Sequence, residues 1–350
     1  MSEAEVTRAG LRGVRPGRDA TPGTDSTPRT QAGRRRRGRA GHRAEQPMVP
    51  KADFTSYYGK PILNPPVWSS PDIPGYLFLG GLAGGSSLLA AGAQLTGRPA
   101  LAGVTKTAAA GAAGLALVAL VHDLGRPARF LNMLRVFKPT SPMSVGSWLL
   151  SAYVPMAGTA AACALTGRLP RIGTAATAGA ALLAPGLAAY TAALISDTAV
   201  PAWHAGHREM PFVFAGSAAM AAGGFGLLAA PRGENVPARN LALFGLGTEA
   251  IAFELMTRRT GLAAEPYRTG RGGAYIRAGQ ALSVLGAAGA LLGTRSGIIS
   301  ALSGASLLAA SAATRWGVFH AGLASARDPK YTVVPQRDRL ASRTGSSSAP

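Results

Sequence analysis

Eight apolar runs constrain this chain more than any other feature. They fall at about 73–95, 103–122, 146–166, 172–196, 211–230, 239–257, 277–293 and 297–318. Each is about twenty residues long, which lets a helix cross a hydrocarbon core of roughly 30 Å. In lipid, every backbone amide of such a run must be satisfied within the segment, and a helix does this. The expected fold is an all-α membrane protein, with eight transmembrane helices in a bundle and both termini on the same side. Small residues crowd the runs, as in "GGLAGG" (80–85) and "GAAGALLG" (286–293), and would let neighbouring helices approach closely. No inverted repeat is evident.

Outside the runs the composition changes. Residues 1–60 are polar and include "GRRRRGRAGHR"; they read as a disordered basic extension, and Met48 is a plausible alternative start. The helical membrane domain is expected over 61–321, and 322–350 reads as a polar tail. The formal charge of +20 would suggest nucleic acid in a soluble chain. Here the arginine-rich segment has no interleaved aromatics, and basic loops are usual in membrane proteins, so nucleic acid is not an expected partner; the bilayer is. No apolar stretch follows the arginines closely, so a cleaved leader is not expected. The single cysteine, Cys163, lies inside an apolar run. One thiol cannot hold an iron–sulfur cluster, a structural zinc or a disulfide framework.

Helix parity sorts the loops. Through their flanks, the four connections on the side away from the termini carry about seven Lys and Arg. The terminal side carries about fifteen, before those of the N-terminal extension. The bias toward positive cytoplasmic loops makes the terminal side cytoplasmic, in the cell (inner) membrane. The same parity gathers Asn64, Trp68, His122, Asp123, Arg126, Asp197, His204, His207, Glu254 and His320 on that one face.

Within "DLGRPARFLNMLRVF", Asp123 closes the second run and Arg126 follows three residues later, a spacing that allows pairing across one turn. Pro127 suits the first position of a short interfacial helix, with Phe130, Leu134 and Phe137 on one side. Arg129, Arg135 and Lys138 are candidates for gripping a partner. In "YTAALISDTAVPAWHAGHRE", Tyr190 and Asp197 are seven residues apart and share a helix face, with Tyr190 about two turns into the membrane. Trp203 fits an interfacial aromatic. His204 and His207 have a metal-like spacing, yet no third ligand is evident, so no metal site is expected. Glu249 falls mid-run with no sequence-local partner, and such carboxylates are functional candidates by default. Glu254 is four residues from Arg258 and suits an ion pair. The set fits a lipophilic molecule that gains or loses protons, with any electrons handled by a partner chain.

"DLGRPARFLNMLRVFKPTSPMSVGSW", "YTAALISDTAVPAWH", "MPFVFAGSAAMAAGG" and "PPVWSSPDIPGYLFLGGLAGG" together resemble the NrfD/PsrC family, the polysulfide-reductase-type membrane subunit. The resemblance runs from about Pro61 to Ala321. It implies an eight-helix subunit that reacts with menaquinone (or ubiquinone) and carries no haem or iron–sulfur cluster of its own. It also implies a ferredoxin-like 4Fe-4S partner and a molybdopterin catalytic subunit. By the same resemblance, Tyr190 and Asn64 would hold the quinone headgroup, with His122, Asp197 and His204 beside it. Asp123 would move protons, assisted by Arg126 and Glu249. Well-known members face their catalytic partners outward, whereas the charge bias here places the site inward. Two rivals remain from the residues alone. A haem b anchor would need histidine pairs at two depths, and the histidines sit at one. A small-solute or ion transporter would make use of Glu249.

Overall fold

The computed structural model describes residues 5–7, 10–12, 62–126, 128–292 and 296–346. The arginine run, Met48 and Pro127 lie outside the described residues. The chain divides into two units, 65–326 and 1–64 with 327–350.

The larger unit is built from α1 (Asp72–Leu95), α2 (Pro99–Asp123), the short α3 (Ala128–Met133), α4 (Pro142–Thr166), α5 (Pro170–Ser196), the short α6 (Pro201–Ala205), α7 (Met210–Ala229), α8 (Val236–Arg259), a 3-10 turn (Gly261–Tyr267), α9 (Gly270–Leu292) and α10 (Gly297–Arg327). Proline occupies the first or second position of α2, α4, α5, α6, α7 and α8. There its fixed φ favours the helix and its missing N–H removes no bond. α4 stops where Gly167 turns left-handed, φ 68°, and donates its N–H to the Cys163 carbonyl, a conformation glycine adopts without strain.

Eight of these helices have 20 residues or more among the described residues, enough for roughly 30 Å. Seven are long and apolar enough to cross a membrane. α8 is the exception, since its 24 residues include Arg239, Glu249, Glu254, Arg258 and Arg259. The expected sixth span is thus a helix, but hydropathy alone does not make it a span.

Consecutive long helices pack as hairpins, α1 on α2, α4 on α5 and α7 on α8, with α1 also against α5 and α7. α1 and α7 bury most of their length. Close approach explains the glycines: a Cβ on Gly85 of α1 would stand 2.5 Å from the Ala218 carbonyl oxygen of α7. Cross-helix contacts tie the helix ends together. Ser69 meets Asp123 and Glu209 meets Arg259 at one end. At the other, Gln94 meets Thr174 and Leu101 meets Glu234.

The smaller unit contains α11 (Lys330–Ser346), within the segment read as a polar tail. It also contains two strands, β1 (Glu5–Thr7) and β2 (Gly10–Arg12), which pair antiparallel with Val6 opposite Leu11. This ribbon is regular structure inside the segment read as disordered.

Candidate functional site

The polar residues collect where α1 begins and α2 and α5 end. Asp123 Oδ1 accepts the Ser69 amide at 2.9 Å, fastening the segment before α1 to the end of α2. His122 Nδ1 lies 2.9 Å from Asp72 Oδ2, with the imidazole 77% exposed and the carboxylate 16%. Arg126 is exposed and forms no pair with Asp123. The reason is local: α2 ends at Asp123, and Gly125 takes φ 69°, so Arg126 is not one helical turn further along. The interfacial helix is also shorter than expected, since α3 stops at Met133 and leaves Phe137 beyond it. Phe137 instead packs edge-on against Trp148 at 6.0 Å. Arg129 reaches back to the Leu124 carbonyl at 3.1 Å, and Arg135 and Lys138 are exposed.

Tyr190 sits on α5 with its ring against Gly146 of α4, where any Cβ would run into the ring. Leu79 of α1 and Leu120 of α2 pack against the same apolar clusters as Tyr190. Its hydroxyl bonds to no described residue. On the same helix, Thr191 Oγ1 and Ser196 Oγ are buried without hydrogen-bond partners.

Beyond α5 the chain folds down through α6. Trp203, expected at an interface, is fully buried. Its indole donates to the Val318 carbonyl at 2.8 Å and stacks on Trp68 at 5.6 Å. Tyr267 donates to the Ala202 carbonyl at 3.2 Å; burial pushes its hydroxyl pKa up. These contacts fix α6 and hence the histidines. His204 Nδ1 is 3.1 Å from the Ser196 carbonyl, and its ring stacks on that of His207 at 5.7 Å. Both are exposed, as is Asp197 at the cap of α5. Among the described residues no three His, Cys, Asp or Glu side chains converge.

Glu254 pairs with Arg258 at 2.6 Å as its spacing suggested. A stronger pair joins α7 to α8: Arg259 grips both oxygens of Glu209 at 2.6 Å and also donates to the Ala205 carbonyl. The Arg259 guanidinium holds the Glu209 carboxyl below its usual range.

Glu249 lies apart from Tyr190, between α7, α8 and α10. Thr314 donates to its Oε1 at 2.6 Å, while Oε2 is buried without a partner. The next residue, Arg315, is fully buried. It donates to the Phe214 carbonyl at 2.7 Å and lies 3.6 Å over the Phe214 ring, leaving Nε and one terminal nitrogen unbonded. Ser217 and Ser311 bond to each other at 2.8 Å on the same two helices. Asn64 is exposed and belongs to the smaller unit, not to this bundle.

Two residues escaped the sequence reading. Asp72 faces His122, and nothing in their separation of fifty positions links them. Arg315 had a visible signal: it is the one charge in the run 297–318.

Fold and site together define a multi-pass membrane protein with a polar, aromatic-lined site at one end of its bundle. The family model described as "Polysulphide reductase, NrfD" matches residues 61–256, more than half of the chain, and the chain belongs to the NrfD family. The match covers α1 to α7 and most of α8. No curated protein matches the chain.

Proposed function

We propose that this chain is the quinone-reactive membrane subunit of a molybdopterin oxidoreductase, passing electrons between the menaquinone pool and an iron–sulfur partner. All eight long helices, α8 included, then cross the membrane, and both termini are cytoplasmic. The observation that carries the reading is the unbonded hydroxyl of the half-buried Tyr190, whose ring packs on Gly146 of α4, with the next residue, Thr191, carrying a buried, unpartnered hydroxyl. A headgroup with carbonyl oxygens and apolar flanks fits such a place, since it can accept from a Tyr hydroxyl that no protein group engages. Bound quinone would supply two-electron, two-proton chemistry.

The residues of this chain have separable tasks. Tyr190 donates a hydrogen bond and orients the headgroup. Asp123, one turn beyond Leu120 of the Tyr190 clusters, takes or gives protons near the surface as a general acid or base. His122 with Asp72 offers a second proton carrier at the same end. Asp197 and His204 line the rim. Arg126, Arg129, Arg135 and Lys138, exposed beside Leu131, Val136 and Phe137, dock the iron–sulfur partner. Glu249 exchanges protons deeper in the membrane.

The test is quinol-linked activity of the assembled complex. Tyr190→Phe removes one hydrogen bond and is expected to lower kcat/KM for quinol about tenfold, the equivalent of roughly 1.4 kcal/mol. Asp123→Asn is expected to lower turnover with quinol binding retained. Unchanged activity in both variants would misplace the site. A second reading, ion or solute transport, draws on the charged Glu249–Arg315 region inside the bundle. Uptake into proteoliposomes holding this chain alone would favour it.

A further inference from the structure

At the end of the bundle opposite Tyr190, the α1–α2 and α4–α5 turns border an open cavity of about 370 Å³. Its lining includes Gln94, Arg98, Lys106, Cys163 and Thr174. Lys106 lies two turns inside α2, about 10 Å below the helix start. Its ammonium rises back toward the surface and donates to Gln94 Oε1 at 2.5 Å. The Gln94 amide is fixed from its other side by donating to Thr174 Oγ1 at 2.9 Å. An ammonium carries three donors, and this one uses a single bond to a neutral acceptor. Arg98 reaches only its neighbour's carbonyl, Thr96, at 3.4 Å.

The lining contains no carboxylate. Glu234, at the same end, accepts the Leu101 amide at 2.9 Å and is not part of the lining. Arg168 and Arg171 stand exposed on the adjoining α4–α5 turn. A cation inside the membrane edge without a counter-charge is costly, so the cavity is built for an anion. Its surroundings say which kind. The walls include Ala102, Ala160 and Ala164, and Leu95, Leu165 and Leu169 are exposed on the neighbouring helix ends. A lipid seated here keeps its chains against these apolar groups while its headgroup meets the cations. An ammonium and a guanidinium suit a phosphate-bearing headgroup.

We propose that this cavity binds the phosphate headgroup of an anionic phospholipid, with Lys106 as its principal cation and Arg98 at the rim. The site is independent of the quinone reading.

Cys163, the chain's single cysteine, lines the cavity and reports its occupancy. The full-length protein in nanodiscs is reacted with neutral N-ethylmaleimide, in phosphatidylcholine alone and with phosphatidylglycerol added. The expected result is at least fivefold slower alkylation of Cys163 in the anionic discs. Lys106→Gln is expected to abolish most of that ratio and Lys106→Arg to keep it. Because an anionic surface slows thiolate chemistry in every variant, the comparison is between variants in the same discs. The Arg variant also separates loss of charge from misfolding. Inorganic phosphate added to the phosphatidylcholine discs is expected to give no protection. Equal ratios in wild type and Lys106→Gln, or loss of the ratio in Lys106→Arg, would overturn the proposal. Protection by inorganic phosphate alone would replace the lipid with a free anion.

Discussion

Glu209 and Arg259 show what a single pair does at the rim of the site. The carboxyl is held low by Arg259, so its ionised form is favoured in the folded state. That contribution is present above the ordinary glutamate value of about 4.3 and is lost as pH falls through the lowered folded value. Glu209→Gln is expected to reduce stability at neutral pH by about 1 kcal/mol, a small figure because Arg259 is partly exposed. It should also flatten the acid side of the melting profile in detergent. Deeper in the bundle, Arg315 is a sharper case. Removing one partner of a buried charged set strands the other, at about 3–5 kcal/mol. Arg315→Met is therefore expected to destabilise strongly, and Glu249→Gln added to it should recover part of the loss. Thermal unfolding of the single and double variants measures the coupling.

At the scale of an element, α1 separates two kinds of glycine. Gly85 meets the backbone of α7, where a Cβ has no room, whereas Gly92 in the same helix has nothing within 4 Å. Gly85→Ala is expected to separate α1 from α7 and lower the melting temperature. Gly92→Ala should be neutral or stabilise by about 0.5–1 kcal/mol, because alanine loses less freedom in a helix than glycine. Opposite signs in one helix would show packing overriding propensity; a loss at both positions would mean helix propensity is not the governing term. α8 raises a different question, because its charges keep it below the hydropathy of the other long helices. Its Glu249 faces Thr314 rather than lipid, and Arg258 and Arg259 fall in its last turn, where long cationic side chains reach the interface. Accessibility reporters placed in 231–235 and in 260–269 are expected on opposite sides of the membrane. Reporters on one side would remove α8 from the spans.

For the whole molecule, the proposed eight crossings would leave both termini on one side, and fusion reporters at each end are then expected to read cytoplasmic. The positions and order of the long helices were legible in the chain because exclusion of charge from lipid acts on each segment separately. Parity then followed by counting, which is why Asp123, Asp197 and His204 could be assigned to one end before any contact was known. Tyr190 was legible as a tyrosine two turns inside its helix, but its bed on Gly146 was not. The expected Asp123–Arg126 pair failed at Gly125, where one left-handed residue broke the helical spacing on which the pairing depended.

By itself the sequence determined the helical class and the order of the long helices, since apolar length is a local property. Tertiary structure alone decided the partners. His122 with Asp72, Arg259 with Glu209 and Thr314 with Glu249 are each fifty or more positions apart. They meet because small residues let particular helices approach closely. That approach, which no periodicity along the chain encodes, decides which side chains can reach one another.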